Sequence, residues 1–244
     1  MKMMSVRDLE RYDRQMRLFG AAGQEKLKRA NVFIAGAGGL GSPISIYLAA
    51  AGIGKIVLVD KDVVELSNLN RQILHWERDL GSKKALSALE KLKEMNSDII
   101  VEAVAEILDE ENVLHLVGDA DLIIDAMDNF PTRYLLNKAA LDKGIPFIHG
   151  AINGFHGQAT TVLPGRTACL RCIFPEAPPP ETFPVVGVTP GIIGLIQASE
   201  AIKYITGLGD LLAGRLLIWD GLRPCLETID VERNPRCKDC GIPG

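Results

Sequence analysis

Apolar residues recur at two spacings along this chain, and the spacing switches repeatedly. "NVFIAG" (31–36), "GKIVLVD" (54–60), "IIVEAVAEI" (99–107), "DLIIDAMDNF" (121–130) and "IPFIHGAI" (145–152) are apolar runs of strand length. Between them, residues 42–51, "SKKALSALEKLKEMN" (82–96), "NVLHLVG" (112–118) and "PTRYLLNKAALDKG" (131–144) read as helices. The last of these opens on Pro and closes on Gly, the usual helix punctuation. Residues 5–29 read as helical and amphipathic. Strand and helix therefore alternate through residue 150, which predicts a doubly wound, mostly parallel sheet flanked by helices.

The rhythm then changes. "GQATTVLPG" (157–165) and "RLLIWDGLRPCLETIDV" (215–231) favour antiparallel strands, with one helix, "GIIGLIQASEAIKYITG" (191–207), between them. Residues 175–190 are Pro-rich and predict little regular structure. With no internal repeat and no second core, residues 1–244 read as a single α/β domain, Rossmann-like with an antiparallel extension. Its parts are N-terminal helices (1–30), a first half (31–150) and a second half (151–244).

Composition narrows the partners. Hydrophobic residues make up 47% and the net charge is −4, so disorder is excluded and nothing electrostatic points to nucleic acid or an anionic membrane. No apolar run reaches the ~18 residues of a membrane span, and the charged N-terminus lacks a signal core. A cytoplasmic protein is expected, with neither membrane nor direct nucleic-acid contact. Five cysteines, an odd count, argue against a disulfide framework.

The loop Gly36-Ala37-Gly38-Gly39-Leu40-Gly41 follows the first strand and opens a helix. Such glycines allow a tight turn and close backbone approach to phosphate, and the helix start offers free N–H groups. Asp60 ends the next strand, where a ribose-binding carboxylate belongs. These features fit NAD and ATP equally. "DKDVVELSNLNRQ" (60–72) then concentrates Asp60, Asp62, Asn68, Asn70, Arg71 and Gln72 in thirteen residues. A solvated loop is the bland reading, yet a triphosphate needs cations and donors that a simple NAD site does not. Lys84 adds a second cation. Asp128, just past a buried strand, reads either as a cap of the helix near Pro131 or as a ligand for Mg²⁺ held against phosphate oxygens. Taken alone the cap is the better reading; beside Arg71 and Lys84 the metal is favoured.

Cys169/Cys172 and Cys237/Cys240 are two C-x-x-C pairs. Two such pairs favour a tetrahedral, structural Zn²⁺ over redox chemistry. With about sixty residues between them, the ion would clip the C-terminal tail onto the middle of the chain. The unpaired Cys225 is expected to be a small core residue, and His149 to be satisfied in place.

Together these segments resemble the ubiquitin-activating superfamily, in particular its MoeB/ThiF/HesA branch. The resemblance runs nearly end to end through "RYDRQMRLFG", "GAGGLGS", "VDKDVVELSNLNRQ", "GSKKA", "DAMDNFPTRYLLN", "CLRCIFPE", "PGIIGLIQASEAIKYITG" and "RNPRCKDCG". It implies an enzyme, an adenylyltransferase that uses ATP and Mg²⁺ to activate the C-terminal glycine carboxylate of a small ubiquitin-like protein ending in Gly-Gly. It also implies nucleotide contacts from Gly36, Gly38, Gly39 and Gly41, from Asp60 and Asp62, and from Ser67, Asn68, Leu69, Asn70, Arg71 and Gln72. Lys84, Asp128 and Asn129 complete that set. Arg71, Lys84 and Asp128 would be catalytic, with Asp128 organising Mg²⁺. Arg14, by residue reading only a charge on an amphipathic helix, would reach the partner subunit's nucleotide, so a homodimer is implied.

The chain departs from many relatives at one point. Their crossover loop carries a cysteine, whereas here it reads "FPEAPPPETFPVVGVTPG" (174–191) with none. The reaction is therefore expected to stop at the acyl adenylate, with a separate sulfur donor completing it. No sulfurtransferase domain is expected beyond Cys240. An enzyme adenylating an RNA-borne carboxylate is the alternative, and the paired cysteines lean away from it. An NAD-dependent oxidoreductase would leave Arg71, Lys84, Asp128 and the cysteine pairs idle. A scaffold without activity would not need those charges.

Overall fold

The structure is a computed structural model that describes residues 4–179, 183–223 and 225–241. Residues 180–182 of the Pro-rich stretch lie outside the described residues.

An eight-stranded sheet organises the chain. Its strands are β1 (Asn31–Ala35), β2 (Lys55–Val59), β3 (Ile100–Val104), β4 (Leu122–Asp125), β5 (Phe147–Asn153), β6 (His156–Val162), β7 (Arg215–Asp220) and β8 (Cys225–Asp230), in spatial order β3-β2-β1-β4-β5-β6-β7-β8. Strands β1 to β5 pair in parallel, and β6, β7 and β8 extend the sheet antiparallel. The strand runs and the switch to antiparallel pairing follow the expected pattern.

Side chains in β1 alternate between two cores, as a period of two requires. Val32 and Ile34 join a core with Leu48, Leu92 and Ile193, while Phe33 and Ala35 join another with Leu136, Phe147 and Leu170. All four are fully buried, and sequestering Phe33 alone contributes roughly 2–3 kcal/mol. Helices cover both faces: α1 (Val6–Arg11), α2 (Asp13–Arg29), α3 (Gly41–Ala51), α4 (Lys84–Met95), α5 (Val113–Val117), α6 (Phe130–Lys143), α7 (Leu170–Ile173) and α8 (Val188–Thr206). The amphipathic stretch at 5–29 is not continuous. It breaks at Tyr12 and bends at Gly20, which has φ 69°. The one-turn helix α7 inside the first cysteine pair has no counterpart in the sequence reading. Strand β1 lies between β2 and β4, so chain direction across the sheet reverses there. Open α/β sheets bind ligands at such a point, outside the carboxyl ends of the strands.

The N-terminal helix is held by a buried carboxylate. Ser5 Oγ accepts the Asp8 N–H, Asp8 Oδ2 accepts the Ser5 N–H, and Lys28 Nζ lies 2.5 Å from Asp8 Oδ2. Burial alone would raise the Asp8 carboxyl; Lys28 and Ser5 overcome it and hold the pKa at about 2. A folded pKa below the unfolded value of about 3.9 means stability present above pH ~4 and lost as pH falls toward ~2. Asp8→Asn is therefore expected to cost about 1–2 kcal/mol at pH 7, and much less near pH 2. Urea titrations of both proteins across that range test this; a gap that does not shrink with acid would contradict it.

Candidate functional site

A cleft of about 540 Å³ opens at the carboxyl ends of β1, β2 and β4. Gly36, Gly38, Gly39, Asp60, Asp62, Arg71, Gln72, Lys84, Asp128 and Asn129 line it. The glycine loop hugs the sheet: Gly36 has φ 102°, and a Cβ there would sit 2.6 Å from the Ala126 carbonyl oxygen. At Gly41 a Cβ would come within 1.9 Å of the Gly36 carbonyl oxygen, so only glycine lets α3 start this close to the turn. No side chain caps α3; the Ser42 N–H bonds the Gly38 carbonyl at 2.9 Å and Pro43 has none, so the N–H of Gly41 is what the first turn of α3 offers an anion.

Asp60 ties the two loops of the cleft together. Its Oδ2 accepts the Ala37 N–H and its Oδ1 the Asp62 N–H, both at 2.8 Å. Lys84 is buried, its Nζ 3.1 Å from Asp62 Oδ2. Arg71 Nη1 donates to the Ser67 carbonyl at 2.8 Å and to Asn70 Oδ1 at 3.0 Å. Gln72 is buried at the wall and its Oε1 has no hydrogen-bond partner among the described residues, as expected where a ligand supplies one. On the opposite wall, Asn129 rather than Asp128 caps α6, accepting the Thr132 N–H at 3.0 Å. Asp128 is exposed beside it, its Oδ1 accepting one bond from Asn129 Nδ2 at 3.2 Å. A carboxylate so placed is available to a divalent cation.

The other residues singled out lie behind or away from this wall. Gly41 is buried in the start of α3, and Ser67, Asn68, Leu69 and Asn70 form the turn that carries Arg71. Asn68 is buried there, its Oδ1 accepting the Glu65 N–H. Arg14 is exposed on α2, outside the cleft lining. Sequence reasoning did not find Leu108, Met127, Arg133, Ile152, Phe183, Val185 or Pro190, which also line the cleft. Met127 and Arg133 fall within "DAMDNFPTRYLLN" and Pro190 opens "PGIIGLIQASEAIKYITG", whereas Leu108, Ile152 and the pair Phe183 and Val185 come from separate segments with no shared signal.

Four sulfurs gather beside the middle of α6. The Sγ atoms of Cys169, Cys172, Cys237 and Cys240 all lie within 4.8 Å of one another. Neighbouring pairs are 3.8, 3.6 and 3.3 Å apart, close to the ~3.8 Å edge of a tetrahedron with 2.3 Å metal–sulfur bonds. The cluster can hold a metal ion. Asn137 on α6 brackets it, accepting the Leu170 N–H and donating to Asp239 Oδ2, both at 2.9 Å.

Two expectations meet different outcomes. His149 is fully buried and bonded through Nδ1 to Asp125 Oδ2 at 2.6 Å, satisfied in place. Cys225 is not a core residue. It starts the edge strand β8, whose residues are all partly or fully exposed, and its thiol donates to Glu227 Oε1. Among the described residues β8 has one sheet neighbour, β7, so its apolar side chains Leu226 and Ile229 stay about half exposed.

Glycine loop, acidic strand ends and convergent cations define a nucleotide-binding α/β domain with a thiol-clasped tail. The chain belongs to the ThiF family, whose match spans residues 12–239. The SAMP-activating enzyme E1 of Haloferax volcanii is 46% identical, over 99% of this chain and 92% of that protein. The sulfur carrier protein adenylyltransferase of Thermus thermophilus is also 46% identical, over 96% and 91%. The adenylyltransferase and sulfurtransferase MOCS3 of Drosophila yakuba is 45% identical over 96% of this chain, which spans 53% of that protein. Among solved structures, Escherichia coli MccB with MccA-N7isoASN superimposes with TM-score 0.88 at 26% identity, covering 98% of this chain and 76% of that one. MccB with ATP gives 0.85 at 27%, covering 94% and 74%. No helix among the described residues is long and apolar enough to cross a membrane.

Proposed function

We propose that this adenylyltransferase activates the C-terminal glycine carboxylate of a small ubiquitin-like sulfur carrier or modifier, using Mg·ATP and working as a homodimer in the cytoplasm. The observation that carries the reading is the meeting of Arg71, Lys84 and Asp128 with the glycine loop on one cleft. A dinucleotide leaves those charges without work, whereas a triphosphate uses all of them. The names of the Haloferax and Thermus relatives support the protein substrate.

A carboxylate is a poor acyl donor because its leaving group would be oxide. Attack of its oxygen on the α-phosphorus forms a P–O bond, breaks the bond to the bridging oxygen, and releases pyrophosphate. The protein's work is alignment and charge compensation. Gly38, Gly39 and the start of α3 present N–H groups to the phosphates, and Asp60 receives the ribose hydroxyls. Lys84 and Arg71 offset phosphate charge, Lys84 doing so from a buried position where its field is poorly screened. Asp128 would hold Mg²⁺, which neutralises phosphate charge and makes the α-phosphorus more electrophilic. The cysteine cluster, none of whose four residues lines the cleft, would hold Zn²⁺ in a structural role. The loop at 174–191 has no thiol, so sulfur reaches the adenylate from a separate donor.

Label from pyrophosphate is expected to enter ATP in the presence of a ubiquitin-like protein ending in Gly-Gly, and not with the same protein lacking that tail. Absence of exchange with every such partner, together with tight NADH binding, would refute the assignment. The partner subunit's Arg14 would complete each site, and a mixing experiment tests this. Arg14→Ala and Asp128→Ala, each inactive, should regain about a quarter of wild-type exchange once subunits reassort one to one, because only mixed dimers hold one complete site. No recovery in proven mixed dimers would show that Arg14 does not act across the interface.

A further inference from the structure

A buried polar chain runs behind the glycine loop and takes no part in the chemistry above. His75 is 3% exposed; its Nε2 lies 2.8 Å from the Ala37 carbonyl oxygen and its Nδ1 2.9 Å from Ser87 Oγ. Lys91 Nζ lies 2.9 Å from Ser87 Oγ and 2.5 Å from Asp79 Oδ2, and Asp79 also accepts the Trp76 N–H at 2.7 Å. Lys91 and Asp79 are 5% and 6% exposed. A salt bridge this buried costs desolvation and is weak support for stability as such, so what it orients matters more.

The chain has a definite direction. A carbonyl oxygen only accepts, so His75 Nε2 carries the proton and donates to Ala37. In the neutral ring Nδ1 is then bare and accepts the Ser87 hydroxyl. That leaves Ser87 Oγ lone pairs for Lys91, whose charge Asp79 balances. Burial favours the neutral ring, and Lys91 and Lys84 add to the effect, against the Ala37 contact and Asp60. A protonated ring would turn a second N–H toward an oxygen already facing the Lys91 ammonium.

The consequence falls on the next peptide. The Ala37–Gly38 unit is planar and trans, so its C=O and N–H point in opposite directions. Holding the Ala37 carbonyl against His75 turns the Gly38 N–H the other way, and Gly38 lines the cleft. The Ala37 N–H is fixed as well, by Asp60. We propose that His75 is a positioning residue for nucleotide binding: it fixes the Ala37–Gly38 peptide so that the Gly38 N–H faces the phosphates, with Ser87, Lys91 and Asp79 selecting its tautomer. The inference rests on the nucleotide reading of the cleft.

Two conservative variants separate positioning from packing. In His75→Gln the side-chain amide reaches the Nε2 position and can donate to the Ala37 carbonyl. In His75→Asn it reaches only the Nδ1 position, facing Ser87. Both lose the ring, so both should lose thermal stability to a similar degree. Calorimetric titration with Mg·ATP, without any protein partner, should give the Gln variant an affinity within about threefold of wild type and the Asn variant one roughly tenfold weaker. Equal affinities in the two variants would overturn the inference and leave the nucleotide reading standing. A wild-type protein that binds no Mg·ATP would instead sink that reading, and this inference with it.

Discussion

Asp128→Ala is expected to abolish ATP–pyrophosphate exchange while leaving the fold intact. The side chain is exposed and bonds only its neighbour Asn129 among the described residues, and the capping bond to α6 belongs to Asn129. Removing it should change stability by about 0.5 kcal/mol or less, the usual range for a surface site. Its chemical cost is of another order. Loss of a single group aimed at charge that develops in a transition state typically costs about 10²–10³ in rate, and loss of a metal ligand removes the ion's contribution as well. Asp128→Asn keeps an oxygen but not the charge, and should retain a small fraction of activity. Exchange rates and melting curves of the three proteins test this together. Exchange within a few-fold of wild type in the Ala variant would remove Asp128 from the mechanism, and a collapsed melting temperature would show that it holds the fold instead.

The contrast between Asp128 and Asn129 shows how much of the site could be read in advance. Spacing puts both just past a buried strand, and either could cap the following helix. Only the geometry of the turn assigns the bond to Asn129. The parallel strands were legible because each side of the sheet is covered, which makes them continuous apolar runs. The polar wall was legible because it follows strand ends in contiguous segments. Leu108, Ile152, Phe183 and Val185 were not, because the topology collects them from three distant stretches. Lys91 and Asp79, twelve residues apart, look like ordinary surface charges in sequence, yet both are buried behind the glycine loop. Cys225 misled for the opposite reason. Its neighbours Leu226 and Ile229 suggest a buried strand, but β8 lies at the sheet's edge and both are exposed.

Withdrawing the metal from the cysteine cluster is expected to have the largest effect on stability. The tail that carries Cys237 and Cys240 follows β8, which is exposed along its length, so little apolar burial anchors it. Among the described residues its polar ties back to the domain include Asn137 to Asp239, Arg171 Nε at 3.5 Å from Asp239 Oδ1, Arg233 to the Gly165 carbonyl, the Asn234 N–H to Cys172 Sγ and the Val231 N–H to the Gly214 carbonyl. Polar contacts of this kind contribute about 1 kcal/mol each, too little to order the segment alone. Four thiolates on one ion would close a long loop between residues 172 and 237 and fix these contacts at once. Metal analysis should find one Zn²⁺ per chain. Stripping it with a strong chelator should lower the melting temperature by about 10 °C, several kcal/mol at 2–4 °C per kcal/mol for a chain of this size. Cys240→Ser should reproduce the loss, whereas Cys225→Ser should keep both zinc and melting temperature. Asn137 and Tyr134 carry the disturbance into α6, Tyr134 through its hydroxyl on the Phe174 carbonyl, so stripped protein should also bind Mg·ATP more weakly. A metal-free preparation that melts with the wild type would show that the four thiols hold the tail without an ion.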